Sequence, residues 1–408
     1  MLGDAPASAD LAAPFRFDYD PAVLRYGPGS AASLGEELAA HDCDRALVVC
    51  GSTVGETAAV MDPIRDGLGD RLASVFAETT PEKRLGTASD GLDAYRAADA
   101  DCLVAVGGGS SLDVAKIVSV LAATDRDPHA VGRALVDTGT IPVPDAGLPP
   151  VVAVPTTLAG ADLSSVAGVT AAPDTCPVDE PASGGVGDPD LMPAAVCYDP
   201  ELVATTPRAV LAASAMNGFD KGVETLYAAN ATPITDATAS RGLELLTEGL
   251  LAYGDGTEEP WVYRALTQGV MLVQYGISRA DGTTLSLIHA FGHGLTRTYE
   301  VQQGAAHAVV APHALSYLFG RVDGRRALLA DALGVGDADD PAAAVVDRVA
   351  AVATALSLPT RLRDVDGPDR EAFPAVADAV LADSFMANAP PGLDPTTDDL
   401  EGVLRSAW

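Results

Sequence analysis

Two groups of residues in this 408-residue chain have the types and spacing to do chemistry. The first is Gly107-Gly108-Gly109-Ser110-Ser111-Leu112-Asp113-Val114-Ala115-Lys116. It follows an apolar run at 102–106 that reads as a buried strand, and it leads into a helical pattern over 114–123. A strand, a glycine turn and a helix start make a cradle for phosphate. Glycine lets the backbone approach an anion, and the helix N-terminus offers free N–H groups and the positive end of a dipole. A glycine turn alone is a weak signal; the serine, aspartate and lysine at fixed offsets make this one specific. The second group is His289 and His293, whose i, i+4 spacing stacks both rings on one helix face. Such a pair is either a set of metal ligands or a polar helix face. His307 and His313 follow, so four of the six histidines fall within 25 residues, which favours a site.

These groups need elements to hold them. In the first half, strand-like runs at 45–50, 72–76, 102–106 and 150–155 alternate with helical patterns at 56–68, 87–98 and 114–123. The order β-α-β predicts a parallel sheet with helices on both faces, and ligands of such sheets sit at the carboxyl ends of the strands. The turns Gly51-Ser52-Thr53 and Gly107-Gly108-Gly109 both fall there, as does Thr156-Thr157. A stretch rich in Pro, Gly, Asp and Ser at 172–192 reads as a surface loop. After Pro207, helical periodicity at 208–228, 233–253, 261–278, 283–296, 305–319, 341–356 and 371–384 predicts an all-α second half. The expected organisation is a disordered tail at 1–14, an α/β domain at 15–204 and a helical domain at 205–408.

Composition narrows the function classes. The chain is 48% apolar and 20% charged, as globular proteins are, and its net charge is −32, which argues against nucleic-acid partners. Only three lysines occur, Lys83, Lys116 and Lys221, among 25 cationic side chains. An acidic, lysine-poor chain fits a saline cytosol, where charge is screened over roughly 3 Å at about 1 M salt. The five cysteines show no zinc-ligand spacing, and three of them lie in strand-like runs, so they read as buried thiols. No apolar run approaches the roughly 20 residues of a membrane span, and no signal peptide is evident, which predicts a soluble cytoplasmic protein.

With these residues in view, the chain resembles the iron-containing (group III) alcohol dehydrogenase superfamily over about 17–408. The matching pieces are the 107–116 cradle, Pro155-Thr156-Thr157, His289 with His293, and Ala311-Pro312-His313. Tyr198-Asp-Pro-Glu201, Ala215-Met-Asn217, Val223-Glu224-Thr-Leu-Tyr227, the spacing Thr156-Thr157-Leu-Ala-Gly160-Ala-Asp162 and the ending Leu404-Arg-Ser-Ala-Trp408 resemble its maleylacetate-reductase-like branch. The resemblance implies an N-terminal α/β dinucleotide-binding domain and an all-α C-terminal domain, the fold shared with dehydroquinate synthase, and a homodimer or larger oligomer. It also implies NAD(P)-dependent hydride transfer between nicotinamide and a carbonyl or alcohol. Carried over, Gly108, Gly109 and Ser110 contact the pyrophosphate, Asp113 orients the loop or a ribose, Thr156 and Thr157 line the cofactor near its adenine end, and Gly107 and Gly160 belong to the same cofactor site. NAD-preferring relatives often carry an aspartate after the strand at 45–50, where it bonds the ribose 2′-OH. Gly51 and Ser52 stand there instead, so NADP is permitted as well as NAD.

One departure from the family pattern matters most. Its usual metal site is one Asp and three His; the corresponding positions here are Asn217, Lys221, His289 and Gln303. A protonated lysine cannot donate to a metal, and neutral amides bind divalent iron or zinc weakly. A rival register pairs Asp220 with Glu224. Lys221 has two readings: an ammonium that stabilises the developing oxyanion in place of a Lewis acid, or half of a structural ion pair with Asp220 or Glu224. On the first, Lys221 and His289 polarise the carbonyl, His293 relays the proton, and Asn217 touches the substrate, as does His307 unless it is a surface or packed histidine. A cationic cleft suits an anionic carbonyl substrate such as an oxo acid, maleylacetate among them, or a small aldehyde. The competing readings are a conventional Fe- or Zn-dependent alcohol dehydrogenase and a nucleotide-binding protein without catalysis.

Overall fold

The computed structural model describes residues 14–124, 126–145, 147–173, 178, 180–279 and 282–408. Almost all of the expected tail at 1–14, and Cys176, lie outside the described residues. The strands are β1 (Val23–Tyr26), β2 (Ala46–Val49), β3 (Leu72–Phe76), β4 (Cys102–Gly107), β5 (Val151–Pro155), β6 (Val166–Ala171), β7 (Ala182–Gly187) and β8 (Ala195–Tyr198). Six of them form one all-parallel sheet in the order β1-β8-β5-β4-β2-β3. Strands β2, β4, β5 and β8 are buried throughout. That is why each reads as a continuous apolar run rather than an alternating one. Leu47, Val49, Leu103 and Ala105 face one core, whereas Ala46, Val48, Cys102 and Val104 face the other.

The helices of this half are α1 (Leu34–Ala40), α2 (Ser52–Glu56), α3 (Ala58–Leu68), α4 (Leu85–Ala97), α5 (Gly109–Ala122), α6 (Pro128–Thr138) and α7 (Pro200–Val203). α5 packs with α4 on one face of the sheet, and α3 covers the other. The strand order reverses between β2 and β4: β3 lies on the outer side of β2, and β5 on the far side of β4. Ligands of open α/β sheets bind at such a switch point.

The second half is helical, as expected: α8 (Arg208–Tyr227), α9 (Pro233–Gly254), α10 (Pro260–Gln274), α11 (Leu287–Thr296), α12 (Gln303–Arg321), α13 (Arg326–Ala332), α14 (Pro341–Ala355), α15 (Phe373–Leu381) and α16 (Thr397–Ser406). It also holds a two-residue hairpin, β9 (Ser278–Arg279) with β10 (Gly282–Thr283). α8 runs through the middle, packed on α9, α10 and α12, and is buried nearly all round. A helix in that position is apolar on every face, so Asn217, Asp220, Lys221 and Glu224 stand out as its polar exceptions. The stretch at 172–192 is not all loop. Its β7 pairs antiparallel with β6, because Val186 turns into the core between glycines. No helix among the described residues is long and apolar enough to cross a membrane.

Candidate active site between the sheet and the helices

A cavity of about 640 Å³ opens between the two halves. Gly109, Asp113 and Lys83 line it from the sheet side; Asn217, Lys221, His289, His293 and Gln303 line it from the helical side. A cavity of about 680 Å³ between α13 and α14 contains none of the motif residues.

The sheet wall is shaped by backbone. Gly107 has φ of 132°, a conformation that favours glycine. A Cβ on Gly108 would come within 3.2 Å of Thr157 Cγ2, and one on Gly109 within 3.1 Å of Ala161 Cβ. The Ser111 and Leu112 N–H groups bond to Gly108 O at 3.0 and 3.3 Å, while those of Gly109 and Ser110, in the first turn of α5, have no intrahelical partner. Gly51 caps α2 at the carboxyl end of β2, next to β4, so Gly51 and Ser52 share the switch-point crevice with the cradle. Thr156 donates its N–H to Gly107 O at 3.0 Å and fixes the neighbouring strand end. Asp113 does not cap its helix; its carboxylate accepts from Lys83 Nζ at 2.6 Å and from Gly168 N at 3.1 Å. Lys116 points away from the cavity. Its fully buried ammonium holds Ser164 O at 2.5 Å and Val166 O at 3.2 Å, and burial pushes its pKa down to about 8.

The helical wall is shaped by side chains. Asn217 and Lys221 are i, i+4 on α8 and point the same way. Lys221 Nζ donates to Gly160 O at 2.6 Å and to Gln274 Oε1 at 3.4 Å. It forms no hydrogen bond or ion pair with Asp220 or Glu224, which are fully buried and do not line the cavity. The structural ion pair is therefore not made, and the rival carboxylate register faces the core. Burial pushes the Lys221 ammonium down to about 8, opposed by the charges of Asp162, Asp113 and Glu224. Gly160, with φ of 67°, sits where a Cβ would lie 2.5 Å from Gln274 Oε1.

Each histidine of the pair has its own carboxylate. His289 Nδ1 lies 2.5 Å from Glu224 Oε2, and its Nε2 lies 3.0 Å from Asn217 Oδ1. His293 Nδ1 lies 2.9 Å from Asp383 Oδ2, with Arg297 Nη1 3.1 Å from the same oxygen. Burial works against the Asp383 charge, yet the bonds from His293 and the Phe385 N–H hold its carboxyl below the usual range. His307 does not reach the substrate space. It is fully buried behind His289, ring centroids 4.4 Å apart, with Gly292 packed against it. Its Nδ1 is 3.4 Å from Asp220 Oδ2, and burial pushes its pKa down to about 4. Desolvation beside Glu224 raises the Asp220 carboxyl well above its ordinary value. Asp383, Lys83, Gln274 and Arg279 carry no motif; Glu224 stands in one, yet its motif did not reveal that it supports His289.

Residues 21–200 match the iron-containing alcohol dehydrogenase family, and residues 211–408 match the C-terminal domain of Fe-containing alcohol dehydrogenases. The chain belongs to the iron-containing alcohol dehydrogenase family. Over 408 aligned residues it is 28% identical to maleylacetate reductase of Pseudomonas aeruginosa, covering 97% of each chain. It is 26% identical to lactaldehyde reductase of Escherichia coli K12, covering 94% of this chain and 97% of that one. The crystal structure of maleylacetate reductase from Agrobacterium tumefaciens shares the fold, with a TM-score of 0.77 and 24% identity over 97% of this chain and 99% of that one. The protein thus stands in the maleylacetate-reductase-like branch of an NAD(P)-dependent oxidoreductase family.

The cradle fits a dinucleotide: two N–H groups at the start of α5 have no partner among the described residues, and side chains on Gly108 or Gly109 would crowd Thr157 and Ala161 beside them. The metal position does not fit iron. Of its four side chains only His289 carries a strong donor atom, and that Nε2 is engaged with Asn217, while Lys221 brings a positive charge. Among the described residues, the one group of three His, Cys, Asp or Glu with ligand atoms all within 4.8 Å is Cys43, Asp101 and Cys102. It lies at the amino ends of the strands, with both Asp101 oxygens taken by the N–H groups of Asp44 and Arg45.

Proposed function

We propose that this protein is a metal-independent NAD(P)H-dependent carbonyl reductase whose substrate is a small oxo acid of the maleylacetate type, with small aldehydes as secondary substrates. The observation that carries the reading is Lys221, which lines the cavity and whose ammonium is anchored by two acceptors, so that one of its three N–H groups has no hydrogen-bond partner among the described residues. A bound nicotinamide supplies the hydride. Gly107, Gly108, Gly109 and Ser110 hold its pyrophosphate, and Thr156, Thr157 and Gly160 line its crevice. Gly51 and Ser52 put no carboxylate against a 2′-phosphate, so NADPH is accepted as well as NADH. Lys221 stabilises the charge that develops on the carbonyl oxygen. A donor fixed beforehand in a water-poor site costs no reorganisation at the moment of reaction.

His293 delivers the proton. With a proton on Nδ1 directed to Asp383 Oδ2, rather than a lone pair there facing Arg297 Nη2 at 3.1 Å, Nε2 is the atom that exchanges a proton with substrate or water. The charge of the site supports an anionic substrate. In a chain of net charge −32, the cavity is lined by Lys83, Lys221 and Arg279 against Asp113, which pairs with Lys83, and Asp188, so cations outnumber carboxylates there.

The test is turnover of NADH and NADPH with a panel of oxo acids and aldehydes at high salt, with and without chelator, alongside metal analysis. Chelator-resistant reduction without stoichiometric metal is the expected result. Activity that disappears with chelator and returns with iron or zinc refutes the reading and makes this a conventional member of its family. Tight dinucleotide binding with no turnover on any carbonyl makes it a non-catalytic binder.

A further inference from the structure

We propose that Glu224 is a positioning residue which, through His289, turns the amide N–H of Asn217 into the cavity, so that Asn217 and Lys221 form a two-donor pocket for the carbonyl oxygen. The inference rests on the reductase reading above and explains what replaces the Lewis acid at a position that cannot hold one.

Glu224 is fully buried on α8. Its Oε1 accepts the N–H groups of Ile288 at 2.5 Å and His289 at 3.0 Å, and the Tyr227 hydroxyl at 3.2 Å. Ser286, the N-cap of α11, makes no side-chain cap bond, so a carboxylate from another helix caps α11 in its place. The same carboxylate sets the His289 ring through Oε2 at 2.5 Å.

The direction of the next bond follows from Asn217, whose Oδ1 faces His289 Nε2 at 3.0 Å; an amide oxygen only accepts, so the ring nitrogen donates. With a second proton between Oε2 and Nδ1, the couple of Glu224 and His289 holds two protons and is net neutral, as suits two groups out of water. The NH₂ group of Asn217 is directed away from the ring, and Nδ2 makes no hydrogen bond with the described residues. Asn217 and Lys221 both line the cavity, one helical turn apart. Two preorganised N–H donors at that spacing are the arrangement that stabilises an oxyanion.

The experiment compares Glu224→Ala, Glu224→Gln and Asn217→Leu by steady-state kinetics and cofactor titration, with ¹⁵N NMR of the imidazoles in the wild-type protein. Glu224→Ala and Asn217→Leu are expected to lower kcat on the order of 10²-fold, with dinucleotide Kd changed by less than about threefold. Glu224→Gln can donate to Nδ1 and leave the proton on Nε2, so it is expected to recover at least about tenfold of the loss. The His289 spectrum is expected to show Nε2 protonated. Equal losses in Glu224→Gln and Glu224→Ala, or a bare Nε2 in the wild type, overturn the inference. If Glu224→Ala does not fold, Asn217→Leu and the NMR signature decide. Wild-type protein inactive on every carbonyl refutes the reductase reading instead, and the protonation of Nε2 still tests the orientation of Asn217.

Discussion

On the sheet side of the cavity, the shape comes from backbone: three glycines, a positive φ at Gly107, and N–H groups at the start of α5. On the helical side it comes from side chains held by buried partners: Lys221 by Gly160 and Gln274, His289 by Glu224, His293 by Asp383. The two walls differ in what they recognise. On the reading proposed above, the backbone cradle takes the constant part of a ligand, the pyrophosphate of the cofactor, and has little freedom to change. A wall of side chains can exchange its chemistry one residue at a time while its supports stay in place. At three of the four positions where the family resemblance expects metal ligands this chain carries Asn217, Lys221 and Gln303, and α8 aims the first two into the cavity.

The largest effect should come from breaking the backbone wall. Gly109→Val would set a branched side chain against Ala161, 3.1 Å from the nearest added carbon, and fill the space that an anion needs. Dinucleotide Kd, read by cofactor fluorescence, should rise on the order of 10²–10³-fold while the far-UV CD spectrum keeps its native shape. An unchanged Kd would mean that the cofactor does not use this cradle. Breaking the other wall should separate chemistry from cofactor binding. Lys221→Ala should lower kcat on the order of 10²-fold, with dinucleotide Kd within about threefold. If Kd instead loosens more than tenfold and kcat stays near wild type, the work of Lys221 is to tether the Gly160 loop, and the two walls are less independent than drawn.

The difference between the walls also explains what could be read from the chain. The cradle was legible because its signal is local. Gly107 to Lys116 carries strand end, turn and helix start within ten residues. The sheet was legible because β2, β4 and β5 are apolar runs, and the long helices because of their 3.6-residue period. The hairpin of β6 and β7 was not, since β7 is mostly glycine and small residues whose pairing partner lies across the Pro- and Asp-rich segment. Lys221 and His289 could be singled out from the pattern, and Glu224 and Gly160 stood in it too, but which group supports which could not be read. Glu224 meets His289 across 65 residues and Asp383 meets His293 across 90, and no spacing rule links positions so far apart. His307 misled for the same reason. Its place among the clustered histidines gave no sign that α12 turns it into the core beside Asp220.

Lys116 sharpens the comparison at its smallest expected effect, because it lies behind the backbone wall and serves it only structurally. Its ammonium holds two carbonyl oxygens of the segment leading into β6, and burial lowers its pKa from 10.5 to about 8. Between those values the unfolded chain binds more protons than the folded one, so stability rises with pH across that window. Below about pH 8 both states carry the proton, and the full cost of burying the charge is present. Lys116→Met removes the titration. Urea unfolding at pH 7 and at pH 9.5 should therefore show wild type gaining about 2 kcal/mol relative to Lys116→Met as pH rises. A gap that does not change with pH would show that Lys116 keeps its proton in the folded protein through pH 9.5, as it does in the unfolded chain, so that its two carbonyl bonds are those of an ammonium throughout. A gap that moves the other way would mean that Asp113 and Asp162, which raise its proton affinity, outweigh burial.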